Sequence, residues 1–308
     1  MSTLHANKGM TSLQVGIAIV VVLLLSLLVA VLLRQEDAPW LHSAFERSVQ
    51  KLQLVQAMSR DLLTAAEAEK SAVMAETDEA SQVFAEQSLQ ASHHVEQARR
   101  ALEPLLGGNR QEASLFREFS QCWGTLQEID REVLALAVQN TNLKAFRLSF
   151  GPAAAAIRSM EDALTHLMDV GASSPDAVPI TRLAAQALMS ALNMYALQAP
   201  HIAESTATRM EEIEAIMHSH DAQVTDALQR LQTRVDEPGQ PLLEAAWASY
   251  KDFYTINAAI IDLSRQNSNV RSYALSLGQK RKMAAQCQDV LAALQETVHE
   301  SMAYKATK

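Results

Sequence analysis

The sequence predicts an all-α protein, with an N-terminal transmembrane helix followed by two tandem antiparallel four-helix bundles. Three observations lead there: a helix-forming composition, one long uncharged apolar run, and an internal repeat of about 125 residues. The 308 residues are rich in Ala, Leu, Gln, Glu and Met, with only 9 Gly and 8 Pro and 5% aromatic residues. A sheet protein of this length would need many more turn residues and β-branched runs, so long helices joined by few loops are expected. Lys and Arg number 26 against 35 Asp and Glu, a formal charge of −9. An acidic surface argues against a nucleic-acid partner, which would require a basic face.

The membrane segment is residues 15–33, from Val15 to Leu33, preceded by a short tail over residues 1–14. No charged residue occurs between Gly9 and Leu33. Nineteen residues at about 1.5 Å rise span about 28 Å, the thickness of a bilayer's hydrocarbon core. The run ends directly in Arg34-Gln35-Glu36-Asp37 with no small-x-small cleavage site, which favours an uncleaved anchor over the alternative of a removed signal peptide. A tail this short is expected to stay in the cytoplasm. The bulk of the chain then lies in the periplasm, held by a single pass through a bacterial inner membrane.

The repeat sets the domain organisation. Gln139-Asn-Thr-Asn-Leu-Lys-Ala-Phe-Arg-Leu-Ser-Phe-Gly151 recurs as Gln266-Asn-Ser-Asn-Val-Arg-Ser-Tyr-Ala-Leu-Ser-Leu-Gly278 without a gap. Trp123 has a counterpart in Trp247, and Met74-Ala-Glu-Thr77 in Ile202-Ala-Glu-Ser205. Matched landmarks in one order imply a duplication. The first bundle is assigned to residues 38–170, the linker to 171–179, and the second bundle to 180–303. Helices are expected near 39–74, 78–106, 110–138 and 142–168, and again near 180–202, 206–235, 241–265 and 269–303. Apolar residues step by three and four along them, for example Leu143, Phe146, Phe150, Ala153, Ile157, Met160, Leu164 and Leu167. Such spacing marks a bundle seam. Short turns make neighbours antiparallel, so each copy is expected to close on itself. Gly151-Pro152 should kink the fourth helix of the first copy.

No enzyme chemistry is legible. The chain has no phosphate-binding glycine loop, no nucleophile elbow and no haem-attachment motif. His93-His94 and His218-x-His220 point apart on a helix, and His201 with Glu204 supplies only two ligands, so neither a metal nor another cofactor is expected. Cys122 and Cys287 read as small buried hydrophobes, because a disulfide between them would have to join the two copies. One polar set stands out. Lys280 takes the seam place that Ala153 fills in the first copy, and counting along the helices brings His220, Tyr254 and Asn193 to the same depth. These four form a candidate layer for a small anionic ligand; the competing reading has Lys280 snorkelling outward and His220 packing with one hydrogen bond.

The Ala-Glu-Thr/Ser helix ends (Ala75-Glu76-Thr77, Ala203-Glu204-Ser205), Trp123 and Trp247, and the polar turns leading to Leu-Ser-x-Gly resemble the four-helix-bundle sensor domains of bacterial methyl-accepting chemoreceptors. The likeness covers roughly residues 15–170 and again 180–303. It implies sensing of a small solute or a periplasmic protein. A homodimer of the chain is considered beside these partners. The return span, linker domain and cytoplasmic signalling coiled coil of those receptors have no counterpart here. The expected function is therefore a membrane-anchored extracytoplasmic sensor module acting through a separate membrane partner. The alternative is a structural or assembly subunit that uses helical surfaces to hold a membrane complex.

Overall fold

The computed structural model describes residues 39–306. The expected membrane helix over residues 15–33 lies outside the described residues. Among the described residues no helix is long and apolar enough to cross a membrane, and there is no strand. The all-α class holds.

Helices α1 (Pro39–Val73) and α2 (Asp78–Leu102) make a hairpin. Its turn is closed by Thr77, whose side chain accepts from the Ala80 N–H at 3.0 Å and satisfies one of the free donors at the start of α2. A short 3₁₀ turn (Glu103–Leu105) leads through Gly107-Gly108 to α3 (Arg110–Ala137). Asn109 caps α3 by accepting from the Gln111 and Glu112 N–H groups. The chain continues as α4 (Thr141–Leu148), a π-helical turn (Ser149–Ala153) and α5 (Ala154–Gly171). The second copy repeats this order: α6 (Ala177–Ala203), α7 (Ala207–Gln232), α8 (Gln240–Gln266), α9 (Ser268–Leu275), a π-helical turn (Ser276–Lys280) and α10 (Arg281–Ala306).

The two copies do not close on themselves; they exchange their last helices. One core joins Val55, Met58 and Leu62 of α1, Val95 and Leu102 of α2, and Phe116, Phe119 and Trp123 of α3 to Leu291, Leu294 and Val298 of α10. The other joins Ile157, Met160 and Leu164 of α5 to Leu183 of α6, Val224 and Leu228 of α7, and Leu243 and Phe253 of α8. The expected division into 38–170 and 180–303 is corrected accordingly. The first bundle is α1, α2, α3 and α10, and the second is α5, α6, α7 and α8.

The reason lies in residues 138–140 and at Asn267. Asn140 (φ 51°) and Asn267 (φ 53°) adopt the left-handed conformation that ends a helix. Reversal into a helical hairpin takes a loop of about two to five residues. Between α8 and α9 only Asn267 is non-helical, which is too short for a reversal. The three residues 138–140 between α3 and α4 would suffice by length, and there the packing of α4 on α8 takes the chain onward. Neither α4 nor α9 folds back on its predecessor; α4 packs on α8, and α9 packs on α3. Each chain segment therefore runs on past the end of its own bundle into the other.

The crossing is reciprocal. The Thr141 N–H donates to Ser268 Oγ at 3.1 Å, and the Ser268 N–H donates to Thr141 Oγ1 at 3.0 Å. The Asn142 N–H donates to Asn269 Oδ1 at 3.1 Å, and the Asn269 N–H to Asn142 Oδ1 at 3.2 Å. Asn142 also donates to the Ile202 carbonyl at 2.7 Å, and Asn267 to the Glu204 carbonyl at 2.9 Å. Each copy of the repeated Asn-Thr/Ser-Asn caps the helix of the other, which satisfies buried N–H groups that have no intrahelical acceptor.

The bundles therefore stack end to end. At the outer pole of the first, Lys51 of α1 pairs with Glu112 of α3 at 2.6 Å, and Ser301 of α10 donates to Glu112 at 3.0 Å. Glu69 of α1, Asp130 of α3 and Lys280 of the π-helical turn before α10 meet near the crossing. Pro39 and Ala306, the two ends of the described chain, thus begin and finish helices at one pole. The turns 172–176 and 233–239 lie at the other.

The π-helical turns shift the expected seam. Before the turn the buried residues are Ala145 and Ser149, not Phe146 and Phe150; after it Ala153, Ile157 and Met160 follow as expected. The same holds for Ser272, Ser276 and Lys280. One extra residue in each turn moves the face round by about a residue. Small side chains then lie inward where the long helices cross, and Phe150, Tyr273 and Leu277 are left exposed. The second copy makes the same turn without a proline, so Pro152 is not its cause. A Cβ at Gly151 or Gly278 would meet nothing within 4 Å, so neither glycine serves close packing.

Cys122 of α3 and Cys287 of α10 form a disulfide within the first bundle, with Cα atoms 5.8 Å apart. The expectation of two free buried thiols is corrected. Its premise, that a bond would have to join two bundles, fails once α10 belongs to the first.

Candidate functional site

Lys280 does not meet His220, Tyr254 or Asn193; the expected four-residue layer is not formed. Lys280 enters the first bundle, while the other three residues belong to the second. Its Nζ lies 2.9 Å from Glu69 Oε2 and also bonds Asp130 Oδ1. All three side chains are buried, so the lysine does not snorkel. A buried ammonium survives only where charge and hydrogen bonds replace its hydration, and two carboxylates do so here. Glu69 Oε1 has no hydrogen-bond partner among the described residues. Beside the triad Leu62, Ala65, Trp123, Leu126 and Ala284 enclose a cavity of about 10 Å³, close to the size of one water.

The second bundle carries the neutral version of this layer. Asn257 stands where Asp130 stands in the first copy, and Gln198 matches Glu69 in the buried pattern of its helix. Ser149 Oγ donates to Gln198 Oε1 at 2.8 Å, and Gln198 Nε2 donates to Asn257 Oδ1 at 2.8 Å. Duplication has therefore kept a buried polar layer in both bundles and charged only one of them.

Nearer the crossing, His201 is fully buried between Ser264 and Glu214. Its Nδ1 contacts Ser264 Oγ, and its Nε2 lies 2.9 Å from Glu214 Oε1. Arg265 grips Glu214 through two bonds of 2.8 and 2.6 Å. Arg265 first, and then His201, hold the Glu214 carboxyl below the usual carboxylate range against the opposing effect of burial. Ser264 is fully enclosed as well, so the array ties α6, α7 and α8 together from the core out to the exposed Arg265. Glu204 does not share a face with His201; it accepts from the Ser205 and Thr206 N–H groups. Among the described residues no group of three potential ligands could hold a metal ion.

The open site is a trough between α7 and α8 of the second bundle. One end, of about 160 Å³, is lined by Met194, Glu214, Met217, His218, Tyr254, Asn257 and Asp262. The other, of about 320 Å³, is lined by Trp247, Tyr250, Lys251 and Tyr254. Asp221 and Tyr254 line both ends. The hydroxyl of Tyr250 donates to Asp221 Oδ1. Burial, reinforced by Asp221, pushes the Tyr250 hydroxyl well above its ordinary range, so it stays a donor.

The two tryptophans are placed differently: Trp123 holds the buried position that Tyr250 holds in α8, and Trp247 lies three residues before it. Trp123 donates from Nε1 to Glu96 at 3.2 Å, and Arg99 and Arg100 hold that carboxylate in place. Trp247 Nε1 has no acceptor among the described residues. Of the four residues singled out from sequence, Tyr254 lines the trough and stacks obliquely near Tyr250, with ring centroids 6.5 Å apart. His220 is half-buried with its Nδ1 3.3 Å from Gln223 Oε1, and Asn193 faces solvent on α6. Asp221 and Tyr250 were missed. Their pairing joins two helices, and nothing in a spacing pattern marks it. No family model, no curated protein and no solved structure matches the chain.

Proposed function

We propose that this chain is a membrane-anchored, extracytoplasmic sensor module, of the kind that chemoreceptor sensor domains represent, which binds a solute and acts through a separate membrane partner. The observation that carries this reading is the trough in the second bundle. It lies beyond the crossing from the pole where Pro39 and Ala306 sit, and α8, α9 and α10 run in sequence from one to the other. Occupancy of the trough would bear on α8, whose continuation through α9 and α10 forms part of the pole where α1 begins. The Cys122–Cys287 disulfide supports an exported domain, because such bonds persist in oxidising compartments and are rare in the cytosol.

A reporter fused after Lys308 tests the topology. Activity in the exported compartment alone is expected, and activity in the cytoplasm would end the reading. Thermal unfolding of the full-length chain in detergent against a panel of small solutes tests sensing, since a ligand that binds only the folded state raises stability. The assembly-subunit reading draws on Phe150, Tyr273 and Leu277, which are exposed near the crossing. It predicts stabilisation by a membrane protein captured from native membranes and by no solute.

A further inference from the structure

We infer that the trough between α7 and α8 takes a small organic ammonium ion, an alkylamine or a quaternary ammonium; this rests on the sensor reading above and names its ligand. The sequence had suggested an anionic ligand gripped by Lys280, but that lysine is sealed in the other bundle between Glu69 and Asp130.

The charge of the trough is opposite to that expectation. Asp221 lines both its ends and forms no ion pair with any described residue. Its one oxygen is oriented by the Tyr250 hydroxyl, which leaves a half-buried carboxylate fixed in direction and without a cation. Asp262 adds negative charge at one end. Arg265 is occupied by Glu214, and Lys251 is exposed at the opposite end. A carboxylate ligand would meet repulsion at the centre of the trough, whereas an ammonium would meet its counterion there.

The walls are suited to the same guest. Trp247, Tyr250 and Tyr254 surround Asp221, and an aromatic face attracts a cation through its quadrupole, most strongly where water is displaced. Tyr254 is 42% exposed although its neighbour Tyr250 is buried, so its ring is available at the mouth. Met194 and Met217 give a polarizable, adaptable floor at the narrower end. The narrower end holds about 160 Å³ and the aromatic end about 320 Å³, at the lower bound of roughly 300 Å³ for drug-sized pockets, so the site suits a small guest. The first bundle does not repeat the site: Ser92 and Trp123 stand at the positions that match Asp221 and Tyr250 in the burial pattern, so it has neither the carboxylate nor the hydroxyl that orients it.

Calorimetric titration of the full-length chain in detergent micelles, at low ionic strength, decides the matter. The probes are tetramethylammonium, ethanolamine and choline as chlorides, with sodium chloride, acetate and malonate as counter-probes. Saturable binding of at least one ammonium is expected, weakened tenfold or more by Asp221→Asn and by Tyr254→Ala. Circular dichroism checks that both variants remain folded, and Tyr254→Ala removes a ring that the core does not need. Equal affinity in wild type and a folded Asp221→Asn variant would overturn the site. Binding of acetate or malonate but of no ammonium would overturn the ligand class and leave the sensor reading standing. If none of these probes binds, the ammonium inference falls. The sensor reading would then be judged separately by the wider solute panel and the topology reporter.

Discussion

Replacing Lys280 by alanine should destabilise the protein by about 3–5 kcal/mol, the usual cost of removing one partner from a buried ion pair. The cost arises in what remains. Glu69 is 1% exposed and Asp130 7%, so two carboxylates that shared one ammonium would face each other without water or a cation. Had the lysine only snorkelled, the change would be under about 1 kcal/mol. The second bundle shows how to separate charge from packing, since it fills the same layer with Gln198, Asn257 and Ala153. The triple variant Glu69→Gln, Asp130→Asn, Lys280→Ala copies that layer. It should recover most of the loss, because exchanging a whole buried ionic cluster for neutral groups is often neutral or stabilising. Urea unfolding followed by circular dichroism, on the full-length chain in detergent, measures both. A single variant within 1 kcal/mol of wild type would refute the buried-triad argument. A triple variant as unstable as the single one would show that lost packing, not unpaired charge, is the cause.

Residues 178–308 alone should be largely unfolded by circular dichroism, because they lack α5, which closes the second bundle, and leave α10 without its own; a cooperative thermal transition would contradict the exchange of helices. Reducing the disulfide should lower stability by up to about 5 kcal/mol, from the chain-entropy model for a closed loop of 165 residues, read as a drop in thermal midpoint with dithiothreitol. Two free thiols titrated in the untreated, exported protein would contradict the bond. Arg99, opposed in part by burial and aided by Arg100 and Trp123, lowers the Glu96 carboxyl from 4.5 to about 2. Its contribution to stability is complete above pH 4.5 and is lost as the pH falls toward 2. Glu96→Gln should therefore flatten the acid limb of the stability profile over that window, and an unchanged slope would deny the carboxylate its role.

The order of helices, their turns and their duplication can be read from the chain itself, because each depends on residues close in sequence. Thr77 and Asn109 cap helices from one position before them, Gly107-Gly108 breaks a helix locally, and three-and-four spacing marks a face whatever it packs against. Partner choice is different. Both fourth helices carry the same kind of seam, and either could complete either bundle by pattern alone. The left-handed Asn140 and Asn267, each followed at once by a new helix, carry the chain onward rather than back, and that sends α10 to the first bundle and α5 to the second. Everything counted on the assumption of self-closure went astray with it. Cys122 and Cys287 became neighbours across 165 residues, and Lys280 met carboxylates instead of His220, Tyr254 and Asn193. The single residue added by each π-helical turn moved Phe150 and Leu277 out of the seam. The trough around Asp221 likewise exists only because the consecutive helices α7 and α8 stand apart there, a separation that depends on how their side chains pack and not on the period of either one.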